Sequence, residues 1–151
     1  MARVWKSILR VVVGSFALVI FTAFVFTGNY TRVFRSRQET AAIGAIRTLH
    51  TVQVQYYSQY GRYAASLTEL GPPTSGAPGP AAADLIDATL AGGTKSGHKF
   101  TMTGNTSGYV INVVPESYGN SGSRTFYSDQ TMTIRQNYGQ EPATINSPEM
   151  K

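Results

Sequence analysis

Cysteine is absent from the 151 residues, which excludes a disulfide framework, a thiolate nucleophile, an iron–sulfur cluster and cysteine-ligated zinc. Histidine is scarce. His50 and His98 stand far apart with no local group of ligands, so each is expected as a surface or strand residue rather than a metal ligand. No G-x-S-x-G, Walker loop or G-x-G-x-x-G occurs, which leaves no motif for an acyl, phosphoryl or dinucleotide site. Asp84 and Asp87 lie one helical turn apart, but acids on a short solvated helix serve capping and solubility. No catalytic residue, cofactor or metal is expected.

Acidic residues are missing from the first 38 positions, and Glu39 is the first. The formal charge of +5 is therefore unevenly spread: residues 1 to 37 hold six basic and no acidic side chains, whereas residues 38 to 151 hold seven basic and eight acidic. The basicity belongs beside anionic headgroups. No basic patch remains for nucleic acid.

Between the two basic clusters lies Val11 to Thr27, VVVGSFALVIFTAFVFT, without a charge. As a helix it is about 25 Å long, and flanking residues extend it toward the ~30 Å hydrocarbon core of a bilayer. Trp5 and Tyr30 suit the two interfaces, and the long stem of Arg10 can snorkel to the headgroups. A single retained span is expected. The rival is a cleavable secretory signal, with Arg3, Lys6 and Arg10 as its basic region. Against it, the apolar core exceeds the usual ~7–15 residues and no A-x-A-like site follows Phe26. The small residues Gly14, Ala17 and Ala23 permit close approach of another helix.

From residue 28 to Tyr60 the chain is expected to continue as an amphipathic helix. Ala42, Ile46, Leu49, Gln53, Tyr56 and Tyr60 share one face at helical spacing, widened by Ile43, Ala45 and Val52. Gly61 suits a left-handed cap. A capping box places Ser66 at the N-cap and Glu69 three residues on. Pro72 to Pro80, PPTSGAPGP, forbids regular structure. Ala82 to Leu90 is expected as a two-turn helix ending at Gly92 and Gly93.

The period then changes to two. Phe100 and Met102 alternate with Lys99, Thr101 and Thr103, and Tyr109, Ile111 and Val113 share a face up to Pro115. Arg124 to Tyr127 and Thr131 to Arg135 are expected to pair across Ser128, Asp129 and Gln130, with Met132 and Ile134 inward. Residues 61–137 thus form a loop region and a sheet, and 138–151 an irregular tail. The predicted fold is α+β: a long N-terminal transmembrane and amphipathic helix packed on a three- to four-stranded antiparallel sheet. Tyr56, Tyr57, Tyr60 and Tyr63 belong to the core and rim of that packing rather than to an electron-transfer or ligand site.

RSRQETAAIGAIRTLHTVQVQYYSQYGRYAASLTELG, Arg35 to Gly71, resembles the extended first helix and following loop of bacterial type IV pilins and type II secretion pseudopilins. FYSDQTMTIRQ, Phe126 to Gln136, resembles their sheet hairpin. The resemblance covers about residues 28 to 148 and implies a pilin-like fold. The family's prepilins carry a leader ending in glycine and a glutamate at the fifth mature position inside the span. Here Gly14 is the nearest candidate glycine, Ser15 and Phe16 follow it, and the fifth position is Val19. The span also lacks the proline common in pilins.

These departures favour a non-catalytic, pilin-like structural or accessory subunit of a larger membrane complex, for example a respiratory or photosynthetic one. The alternative is a pilus or type II secretion subunit that packs its span against identical neighbours. The expected partners are the lipid bilayer and other membrane subunits, with no nucleic acid. The expected location is a bacterial inner membrane with the soluble domain in the periplasm.

Overall fold

The computed structural model describes the backbone of residues 2–150 and the side chains of residues 30–150. The chain divides into two compact units, residues 1–34 and 35–151. In order, the elements are α1 (Ala2–Tyr60), α2 (Leu67–Leu70), α3 (Ala88–Ala91), β1 (Thr94–Lys95), β2 (His98–Gly104), β3 (Tyr109–Pro115), β4 (Arg124–Asp129) and β5 (Arg135–Tyr138). Among the described residues, no helix is long and apolar enough to cross a membrane. The expected span, Val11 to Thr27, lies outside the residues whose side chains are described.

No proline interrupts α1, and it stops where expected. Gly61 takes φ +69 and donates its N–H to the Tyr57 carbonyl at 2.8 Å, the geometry a side chain would resist. Within the second unit, the predicted stripe is the buried one. Ala42, Ile46, Leu49, Gln53 and Tyr56 are fully buried, and Tyr60 packs half-buried at the end of the same row.

The fold class is α+β with one long helix and an antiparallel sheet. The sheet has five strands in simple meander order, not three or four. Its apolar face is set by register: Phe100 pairs with Val113, and Val113 with Phe126. The next row is Met102, Ile111 and Ser128. Those apolar side chains form one core with the buried stripe of α1. The helix covers the face that an isolated sheet would leave wet.

Three expectations are corrected. The added strand β1 is only two residues long and turns into β2 through Ser96 (φ 50) and Gly97 (φ 66), the left-handed pair that a two-residue hairpin requires. The S-G dipeptide was the available signal. Second, β4 runs through Ser128 and Asp129, residue types that locally favour the turn, and the last strand lies at Arg135–Tyr138 rather than Thr131 to Arg135. The Asp129 carboxylate accepts from both the N–H and the hydroxyl of Thr131. Its carbonyl accepts from the Met132 N–H, curling the connection at residues 130–134. Met132 consequently takes φ 63 and is 51% exposed, while Ile134 does turn inward.

Third, the helix expected over Ala82 to Leu90 is reduced to α3. The N–H groups of Ala83, Asp84, Leu85 and Ile86 are spent on the carbonyls of Glu69, Gly71 and Leu70, so that stretch stitches itself to α2. Asp87 then caps α3 by accepting from the Leu90 N–H. The tail after β5 is irregular but docked: Met150 donates to the Ile134 carbonyl, Gln136 to that of Pro148, and Ala143 is buried.

Candidate functional site

The seam between α1 and the sheet carries the densest chemistry among the described residues. Four polar side chains of the helix, Glu39, His50, Gln53 and Tyr56, are buried in it. Each has found partners far away in sequence.

Glu39 accepts from the Ser123 N–H (2.6 Å) and hydroxyl (3.0 Å) and from Arg124 Nε (2.9 Å), with Arg124 Nη2 at 2.8 Å. Burial by itself would raise its pKa. The Ser123 bonds and the paired guanidinium outweigh that, holding the carboxyl below its ordinary value. Gln53 pairs its amide with both backbone groups of Ala64, accepting from the N–H at 2.8 Å and donating to the carbonyl at 3.1 Å. Tyr56 donates to the Pro80 carbonyl at 2.6 Å and so pins the Pro/Gly-rich loop. Its hydroxyl also lies 3.1 Å from Glu69.

His50 is the centre of the third cluster, flanked by Tyr109 on β3 and Ser128 on β4. Its Nδ1 is 2.7 Å from the Tyr109 hydroxyl and its Nε2 is 2.9 Å from Ser128 Oγ. The Ser128 hydroxyl donates to the Thr133 carbonyl at 2.8 Å. The tautomer follows by assignment from these partners: Nε2–H donates to Ser128, and Nδ1 accepts the Tyr109 proton. His50 therefore has no free lone pair for the Ser128 proton, and the trio is not arranged as a serine nucleophile. Burial lowers the His50 pKa, with the Asp129 carboxylate pulling weakly the other way. Burial likewise pushes the Tyr109 hydroxyl up, helped by Tyr63 and Asp129. His50 also borders an open groove of about 410 Å³, shared with Arg47, Thr51, Val54 and Met132.

The expected site residues fall as follows. The side chains of Trp5, Arg10, Gly14, Ala17 and Ala23 lie outside the described residues. Tyr30 is 72% exposed, and Val33 and Phe34, three and four residues on, are exposed too. The tyrosines divide into core and rim as expected: Tyr56 is buried, Tyr60 and Tyr63 pack partly, and Tyr57 is 43% exposed. His98 opens β2, as a strand residue, and is buried. His50 lies on the helix expected there but departs from a surface placement, being 5% exposed. The acids are not a pair: Asp87 caps α3 and bonds Lys95, whereas Asp84 is exposed at φ 56. Ser66 caps α2 as foreseen, but Glu69 reaches back to the N–H of Ala65 rather than that of Ser66.

Among the described residues, no group of three or more His, Asp or Glu side chains is placed to hold a metal ion. Comparison with family models, curated proteins and solved structures gives no match. What the seam can do chemically is thus read from its own geometry: it locks helix to sheet, and at one point it aligns a buried phenol with a proton acceptor. The sequence offered one clue to it, since Glu39, Gln53 and His50 interrupt an otherwise apolar helical face.

Proposed function

We propose that this chain is a non-catalytic, single-pass membrane protein whose pilin-like domain serves as a structural or accessory subunit of a larger membrane complex, such as a respiratory or photosynthetic one, in a bacterial inner membrane. The observation that carries this reading is the exposed cluster of Tyr30, Val33 and Phe34, which follows directly on the uncharged run Val11 to Thr27. Large apolar side chains at i, i+3 and i+4 on a helix seek a bilayer interface or a neighbouring helix. Glu39, His50, Gln53 and Tyr56 of α1, by contrast, find their partners inside the domain. The domain is accordingly read as a finished platform held by its helix.

A second reading is favoured by the order of elements. A long helix, a loop region and an antiparallel sheet closing on that helix also suit a type IV pilin or a pseudopilin, with copies of the span packed together. Two measurements separate the readings. Mass spectrometry of the mature N-terminus is expected to find the span retained and unmethylated. A chain beginning near Ser15 with a methylated amine establishes the filament reading instead. Gentle detergent extraction and native electrophoresis are expected to show co-migration with other membrane subunits. Migration as a free monomer overturns the accessory role.

A further inference from the structure

The Tyr109 residue is 2% exposed, and its hydroxyl oxygen lies 2.7 Å from His50 Nδ1. From the Tyr109 ring, aromatic contacts lead outward in short steps. Tyr109 to Tyr63 is 5.1 Å between ring centroids, and Tyr63 to Tyr57 is 4.8 Å. Tyr57 is 43% exposed. Each ring supports the core by packing, and together they also connect a buried phenol to the surface.

We propose that Tyr109 and His50 form a redox-active tyrosine–histidine pair, which releases one electron through Tyr63 and Tyr57 to a high-potential, metal-centred one-electron oxidant at the exposed edge of Tyr57. The inference does not rest on the membrane reading. In the forward step the electron leaves the Tyr109 ring and reduces the metal centre by one unit. The phenolic O–H bond breaks, and its proton moves to His50 Nδ1, where a new N–H bond forms. The products are a neutral Tyr109 radical, a His50 imidazolium and the reduced metal centre. Return of an electron reverses each transfer.

Three features of the seam make this step available. A proton acceptor must lie within about 2.6–3.2 Å of the proton it takes, with its lone pair free, and His50 Nδ1 meets both conditions because Nε2 carries the other proton. Burial works against prior ionisation of the phenol, so the proton leaves to His50 with or after the electron rather than before it through a phenolate. The imidazolium that results keeps its Nε2–H bond to Ser128 and lies in the attractive field of Asp129. Tyr30 and Tyr138 are 72% and 73% exposed. No histidine contact accompanies either ring among the described residues. A hole placed on them loses its proton to water and remains open to solvent.

The full chain in detergent is oxidised with photogenerated tris(bipyridine)ruthenium(III) and freeze-trapped for electron paramagnetic resonance. The expected product is a persistent neutral tyrosyl radical that is lost in Tyr109→Phe, forms more slowly in deuterated buffer, and forms more slowly in Tyr63→Leu without changing its spectrum. Near-UV circular dichroism verifies the fold of each variant. A measurement on the unmutated chain stands apart from folding: with ¹⁵N-histidine labelling, electron–nuclear double resonance is expected to show nitrogen coupling from the imidazolium bonded to the radical oxygen. A persistent radical that is unchanged in folded Tyr109→Phe, or one without ¹⁵N coupling, overturns the proposal.

Discussion

Arg124 on β4 grips Glu39 on α1 with two nitrogens, Nε at 2.9 Å and Nη2 at 2.8 Å. The same guanidinium reaches Gln136 on β5 at 2.8 Å. One side chain thus ties the helix to two neighbouring strands. Breaking a buried pair by removing one partner costs ~3–5 kcal/mol. The Arg124 side chain retains 21% of its exposure, so water can reach it. Glu39→Gln is therefore expected near the lower end of that range, read as a fall in the urea midpoint of the second unit. Adding Arg124→Met should restore part of the loss. A strictly additive double variant would show that the two groups act separately.

His50 makes the stability of the domain sensitive to mild acid. Its folded pKa is depressed below 6.5, first by burial, with Asp129 opposing. The neutral form is the one that fits, and its contribution is complete above 6.5. As pH falls below 6.5 the unfolded chain binds a proton that the folded chain resists, and stability declines until the folded pKa is passed. Denaturation at pH 7.5 and 5.5 should show this decline, and His50→Gln should flatten it. Glu39 acts at lower pH. Its folded value lies below 4.5, so its contribution is present above 4.5 and disappears as pH drops through the folded value.

How much of this was legible beforehand depends on the range of the interaction involved. The buried stripe of α1 follows from helical spacing alone, and the inward faces of β2 and β3 follow from strict alternation in Lys99 to Thr103 and Tyr109 to Val113. Ser128 and Asp129 read locally as turn formers. Ser128 is instead the third member of the row with Met102 and Ile111, and its burial is sustained by His50, 78 residues away. Likewise Ala83 to Ile86 has helical composition, yet its N–H groups bond α2. Local propensity lost in both places to long-range hydrogen bonds.

Gln53 is a tertiary clasp on an otherwise apolar stretch of the buried stripe, between Leu49 and Tyr56. Its amide saturates both the N–H and the carbonyl of buried Ala64. Truncation leaves two buried backbone groups without partners, at about 1–3 kcal/mol each. Gln53→Ala is therefore expected to cost ~2–5 kcal/mol in chemical denaturation. Gln53→Glu keeps the bond to the Ala64 N–H but sets an unpaired carboxylate at a fully buried position against the Ala64 carbonyl, so at neutral pH it should be no more stable than Gln53→Ala. Equal stability of Gln53→Ala and the parent chain would mean that water replaces the amide.

Two glycines should answer the same substitution with opposite signs. Gly44 sits on the exposed side of α1, and a Cβ added there meets nothing within 4 Å. Gly44→Ala gains helix propensity without a clash, which is worth about 0.5–1 kcal/mol. Gly104 ends β2, where its N–H bonds the Ala65 carbonyl. A Cβ at that position falls 2.2 Å from the Ala64 carbonyl oxygen. That oxygen is backbone, already engaged by Gln53, and cannot swing aside as a flexible side chain would. Gly104→Ala must push the strand end away from residues 64–65 and is expected to cost ~1–3 kcal/mol, as overpacking does elsewhere. Thermal melts of the two single variants provide the comparison. If Gly104→Ala melts as high as Gly44→Ala, the loop after α1 does not press on the end of β2 as described.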